Sequence, residues 1–128
     1  MEPIPEDIVA FLDANVESFE QLELLRILGQ APDKEWQLAE LAREVQVDVQ
    51  TAARHAAALG ARGLLTHVVR GAETVYRYGC EKPALERKLR EMLRVYNERP
   101  VSMIKLVYAQ ASNPLRAFSD AFRVRKEK

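Results

Sequence analysis

His55, His67 and Cys80 are the side chains of this 128-residue chain best suited to metal or redox chemistry. A structural zinc site draws its ligands from closely spaced pairs, and these three stand singly, with no zinc spacing around them. No Gly-rich phosphate loop and no nucleophile motif accompanies them. His55 falls at helical spacing among apolar neighbours, which suits a hydrogen-bonded semi-core residue rather than a ligand. His67 falls on a hairpin face. Cys80 reads as an inert thiol at a strand end, because a redox role needs exposure and a depressed pKa. As the single cysteine, it forms no internal disulfide, which agrees with a reducing compartment. The expectation is no metal, no cofactor and no enzymatic activity.

The length suits one domain with terminal additions and a core built without disulfides. A hydrophobic content of 48% with 30% charged residues fits a soluble globular protein. No apolar run approaches the ~18 residues of a spanning helix, so no membrane role is expected. The start, Met1 to Asp7, has neither a basic region nor a signal segment, and a cytoplasmic location is the expectation. Formal net charge is zero, but residues 1–48 hold 12 acidic side chains against 3 basic, and residues 49–128 hold 7 against 16. Either the basic half faces phosphates while the acidic half points away, or the halves attract each other across the domain or within a dimer.

The elements that must position these residues follow from local signals. Pro5 suits a first helical turn, with Ile8, Val9, Phe11 and Leu12 as the apolar face. Ser18 and Gln21 have the form of a capping box ahead of a broad stripe from Phe19 to Leu28, which Gly29 is expected to end. Trp36 suits burial in a short strand beside a later hairpin. A second helix spans about Gln37 to Glu44 and buries Leu38 and Leu41. Asp48 is a good N-cap for a third, from about Val49 to Arg62. That helix turns Ala52, His55, Ala56 and Leu59 to the core and Gln50, Thr51, Ala53, Arg54, Ala57 and Ala58 outward. Gly60 inside it has no evident cause; close packing of another segment is one option. Gly63 ends the helix. Leu64–Val69 and Thr74–Tyr78 read as strands joined over Arg70-Gly71-Ala72-Glu73, with Tyr76 and Tyr78 on one face. Helix, turn, helix, hairpin is the order of a winged helix-turn-helix.

Beyond the hairpin, Pro83 opens a long helix with Leu85, Leu89, Met92, Leu93 and Tyr96 on one stripe. Pro100 ends or kinks it. The next segment (Val101, Met103, Ile104, Leu106, Val107, Tyr108) is apolar around most of its circumference, more than a lone surface helix needs. Ser112-Asn113-Pro114 then starts a helix whose Leu115, Phe118 and Phe122 form an aromatic stripe, more typical of core or interface than of a ligand pocket. The expected fold class is mainly α with a small β-hairpin. Its parts are an N-terminal helix (1–17) packing on the core, a winged helix-turn-helix domain (18–80) and a C-terminal helical segment (81–128). Burial of that last segment between two subunits would use Met103, Ile104, Val107, Tyr108, Phe118 and Phe122.

Glu40 to Leu65 resembles the helix-turn-helix of bacterial winged-helix transcription regulators of the broad MarR/ArsR type. Asp48, Thr51, Arg54-His55, Leu59 and Gly63-Leu64-Leu65 match the pattern without gaps, and the resemblance covers roughly residues 19–79. It implies that the outer face of the third helix reads base edges and that the wing touches the backbone or minor groove. Carried onto this chain, Gln50, Thr51 and Arg54 are the readers, since Arg suits guanine and Gln suits adenine. Arg70 is the wing contact, and Arg77 and the C-terminal basic residues are further candidates for phosphates. Two departures stand out. Gln46 occupies the turn where the family usually has Gly. Ala53 and Ala57 fall where such regulators often place polar or basic readers.

Two functions follow. One is a homodimeric transcriptional regulator of duplex DNA. The other is a protein-interaction module on the same fold, with Ala53 and Ala57 admitting a partner helix and with little or no DNA binding.

Overall fold

A computed structural model describes residues 4–111, in the order α1 (Glu6–Asn15), α2 (Phe19–Gln30), β1 (Trp36–Gln37), α3 (Leu38–Val45), α4 (Val49–Ala61), β2 (Leu65–Arg70), β3 (Glu73–Tyr78), α5 (Pro83–Glu98) and α6 (Pro100–Ala111). The Ser112-Asn113-Pro114 start and the Leu115, Phe118 and Phe122 stripe lie outside them.

Ser18 caps α2 by accepting a hydrogen bond from the Gln21 amide (3.3 Å). The reciprocal contact is displaced by one residue. Gln21 Oε1 accepts from the Glu17 amide (3.0 Å), where a standard capping box would use that of Ser18. The helix runs past Gly29 to Gln30, so Gly29 is not its terminator. A Cβ there would stand 2.8 Å from Leu93 Cδ1. The glycine is a packing site that lets α5 lie close against α2.

Both ends of the helix-turn-helix close in the same way. After α3, the Gln46 amide bonds Arg43 O (3.2 Å) and the Val47 amide bonds Ala42 O (3.0 Å). After α4, the Gly63 amide bonds Gly60 O (3.0 Å) and the Leu64 amide bonds Leu59 O (3.0 Å). This is the Schellman arrangement, whose pivotal residue is left-handed. Gly63 meets the requirement at φ 76°, and Gln46 meets it at φ 64° despite its Cβ. Gly60 needs no such account: a Cβ there would make an ordinary 3.5 Å contact with Leu65. Close packing does not explain that glycine.

The hairpin pairs β2 with β3 in antiparallel register from Leu65↔Tyr78 to Arg70↔Glu73. Gly71 and Ala72 form the two-residue loop. Gly71 at φ 65° supplies the positive angle that a type II′ turn needs at its first position. Trp36 pairs with Tyr76, giving a three-stranded sheet of order β1-β3-β2. Its ring is buried, and Lys34 Nζ sits 3.8 Å over it.

Leu22, Leu25 and Leu28 of α2 meet Leu41, Leu59, Leu89 and Met92 in a single core. Pro83 opens α5, and Arg99 breaks helical geometry (φ −137°, ψ 63°) before Pro100 starts α6. Ile8 and Leu12 of α1 are fully buried, and α1 packs on α5 and α6. Met103 and Val107 of α6 are 0% and 1% exposed and belong to the same core. The apolar excess of α6 is thus largely consumed within the chain, and these two residues offer no surface to a second subunit in this arrangement. Val101 and Tyr108 remain open at 63% and 56% exposure, with Ile104 half-buried beside them. The Tyr108 ring stacks on Phe19 (centroids 6.4 Å, planes 15° apart).

Candidate nucleic-acid interface

The N-terminal turns of α4 are set by Asp48. Its Oδ1 accepts from the Thr51 amide at 2.7 Å, and this bond holds its carboxyl below the ordinary carboxylate range. Capping leaves Gln50 and Arg54 exposed on the first two turns, with Thr51 half-buried between them. An Arg54 Nη2 donates to Thr51 Oγ1 (3.4 Å), so two of the three expected readers already touch. Ala57 is exposed and Ala53 half-buried on the same side. The opposite side carries Ala52, Ala56 and Leu59 into the core. His55 is half-buried there, and its Nδ1 lies 3.2 Å from Gln21 Nε2. This is the hydrogen-bonded semi-core position expected from spacing.

Arg70 lies apart from this group, at the hairpin tip. It donates to Glu35 Oε2 (2.6 Å), which raises its pKa further and neutralises it locally. Across the turn, Glu73 Oε2 accepts from Gln37 Nε2 (3.1 Å). The wing tip therefore presents one cation among two carboxylates. Arg77 is exposed on β3, and the basic residues after 111 lie outside the described part. Glu35 as the partner of Arg70 had no signal in the sequence, because the two are joined only by the pairing of β1 onto the hairpin.

The contacts of Gln21 with Arg62 and His55 also escaped a reading from spacing. Gln21 is only 2% exposed. Its Oε1 accepts from the Glu17 amide and from Arg62 Nη1 (3.2 Å), so its amide NH2 must face His55. The His55 Nδ1 is then the acceptor in this contact. The sequence carried one hint, the Gln at the third helical position after Ser18.

Burial pushes the Cys80 thiol up, with Glu86 adding to it, so the thiolate is disfavoured. Among the described residues, no group of His, Cys, Asp and Glu could hold a metal ion, and no helix is long and apolar enough to cross a membrane.

A three-helix unit, a helix-turn-helix within it and a three-stranded sheet ending in a hairpin tip decide the architecture. This is a winged helix. Solved structures with the same arrangement include a homodimeric winged helix-turn-helix DNA-binding domain from Mycobacterium bovis. It has 21% identity and a TM-score of 0.55 over 77% of this chain and 93% of that one. A MarR family protein from Bacillus stearothermophilus superposes with a TM-score of 0.53 at 13% identity, covering 93% and 78% of the two chains. BpsR from Bordetella bronchiseptica, whose DNA binding is regulated by 6-hydroxynicotinic acid, gives 0.52 at 16% identity, covering 94% and 85%. No protein-family model matches this winged-helix chain. No curated protein matches it in sequence.

Proposed function

We propose that this winged-helix protein is a cytoplasmic transcriptional regulator that binds duplex DNA as a homodimer. The observation that carries the reading is the capped start of α4, which holds Gln50 and Arg54 outward on one exposed face. In the major groove, Arg54 makes a bidentate contact to guanine and Gln50 to adenine. Arg70 serves the wing once it leaves Glu35. The similarity to regulators of this fold supports the reading. The dimer uses α6, through Val101, Ile104 and Tyr108, together with the segment carrying Phe118 and Phe122. Residues 18–80 are the DNA-binding unit in this scheme. Two such units bind half-sites about one helical turn apart.

A second reading rests on the alanine face and the neutralised wing. Here Ala53 and Ala57 admit a partner helix, and the protein is an interaction module with little DNA affinity.

Selection of bound duplexes from a random library at physiological salt separates the two. A regulator enriches a two-fold symmetric site and sediments as a dimer. Arg54→Ala then relaxes discrimination at one base pair by about 10-fold or more. Enrichment of no sequence by the wild-type protein, or specific binding untouched by Arg54→Ala and Gln50→Ala, overturns the regulator reading.

A further inference from the structure

Arg62 is the residue at which α4 ends, and its guanidinium reaches out of the helix-turn-helix. Nη1 donates to Asn15 O (2.7 Å), the last residue of α1, and to the buried Gln21 Oε1 (3.2 Å). Nη2 pairs with the Glu17 carboxylate. One planar fork thus meets a backbone carbonyl, an amide and a carboxylate across the α1–α2 junction, a geometry that an ammonium group does not reproduce.

The packing makes this fork consequential. Helix α4 packs on α2, α3 and β2, whereas α1 packs on α5 and α6. Helix α2 touches both groups. Among the described residues, the side-chain hydrogen bonds that leave α4 and its cap for other elements all belong to one cluster. They are those of Arg62 and the His55–Gln21 contact. The Gln21 amide lies at the centre, fixed by Glu17 and Arg62 on its oxygen and facing His55 with its nitrogen. Losing the Arg62 donor strips a buried acceptor of one partner and frees the amide to turn away from His55.

We infer that Arg62 is a positioning residue. It ties the placement of α4 to the layer formed by α1, α5 and α6, so that a shift in that layer reaches the exposed face of α4. The coupling is a property of the folded chain alone. Its effect on DNA rests on the function proposed above.

The test compares wild type with Arg62→Met, Arg62→Lys and Gln21→Met in the full chain. The first measurement, amide hydrogen exchange without DNA, follows residues 15–22, 59–64 and 65–78. Arg62→Met should speed exchange by about 10-fold in the first two segments together and leave the hairpin unchanged. Gln21→Met should give the same pattern, and Arg62→Lys should fall between. Faster exchange confined to 59–64 overturns the inference. If Arg62→Met does not fold, Arg62→Lys carries the same comparison.

The second measurement is duplex binding against salt. The specific-to-nonspecific affinity ratio should fall about 10-fold in Arg62→Met, with the salt slope unchanged. A slope shallower by ~0.9 in this uncharged variant would mean that Arg62 itself contacts a phosphate, which contradicts a positioning role. A wild-type protein that selects no duplex removes the regulator reading but leaves the exchange pattern to decide Arg62.

Discussion

The Tyr96 hydroxyl donates to Glu23 Oε2 at 2.5 Å, joining α5 to α2 across the core. Glu23 also holds Arg26 through paired bonds of 2.8 and 2.9 Å on its own helix. Burial pushes the Glu23 carboxyl up, but hydrogen bonds from Arg26 and Tyr96 outweigh it, and it titrates below the ordinary range. The Tyr96 phenol is pushed well above its usual value by burial and by donation to Glu23.

These shifts set two edges of a stability profile. The depressed Glu23 adds stability above the ordinary carboxylate pKa of about 4, and the gain is lost as pH falls through its folded value. The raised Tyr96 adds stability below about pH 10, and that gain is lost as pH rises through its folded value. Urea midpoints from acid to alkaline pH should show both limbs in wild type. Tyr96→Phe should flatten the alkaline limb and weaken the acid one. Superimposable profiles would show that the bond does not carry this dependence.

Ser18→Ala removes the cap of α2 while leaving Gln21 in place. A loss of about 1 kcal/mol is expected in denaturant melts. A change below a few tenths would mean that water replaces the hydroxyl without penalty.

Gln46 is exposed and left-handed. Gln46→Gly relieves a backbone penalty of roughly 1 kcal/mol, partly offset by the freer unfolded chain. The expected net gain is about 0.5 kcal/mol in thermal or urea unfolding. Destabilisation would show that the Gln46 side chain makes a contribution of its own.

Glu35→Gln frees the wing cation. Arg70 is then available to a phosphate without first breaking an ion pair, and duplex affinity at low salt should rise by about two- to five-fold. Arg70→Ala in the same background should erase the gain. An equal gain without Arg70 would trace it to the lost charge of Glu35 alone.

Local signals carried most of the fold. Ser18, Asp48, Gly63, Pro83 and Pro100 act on neighbours within a few residues, and each stands where spacing placed it. Trp36 also took its place beside the hairpin. Gly29 misled because a helix-ending glycine and a glycine that admits Leu93 look alike without the second helix in view. Met103 and Val107 misled similarly, because periodicity gives the width of an apolar face and says nothing about which surface covers it. At the candidate interface, Gln50 and Arg54 were legible as exposed positions of one helical face, with Thr51 half-buried between them. The Glu35–Arg70 pair and the Gln21–Arg62 cluster were not, since both join residues tens of positions apart.

The alanines of α4 have a thermodynamic consequence. Ala53, Ala57 and Ala58 have no rotamers to freeze, so docking this helix against any surface orders few side chains. Of the groups that face outward, Gln50 and Arg54 carry most of the rotational freedom that is surrendered, and Arg54 is already leaning on Thr51. In the proposed function this makes α4 a rigid rod with two adjustable arms, and discrimination between partners rests on how well those two arms are satisfied.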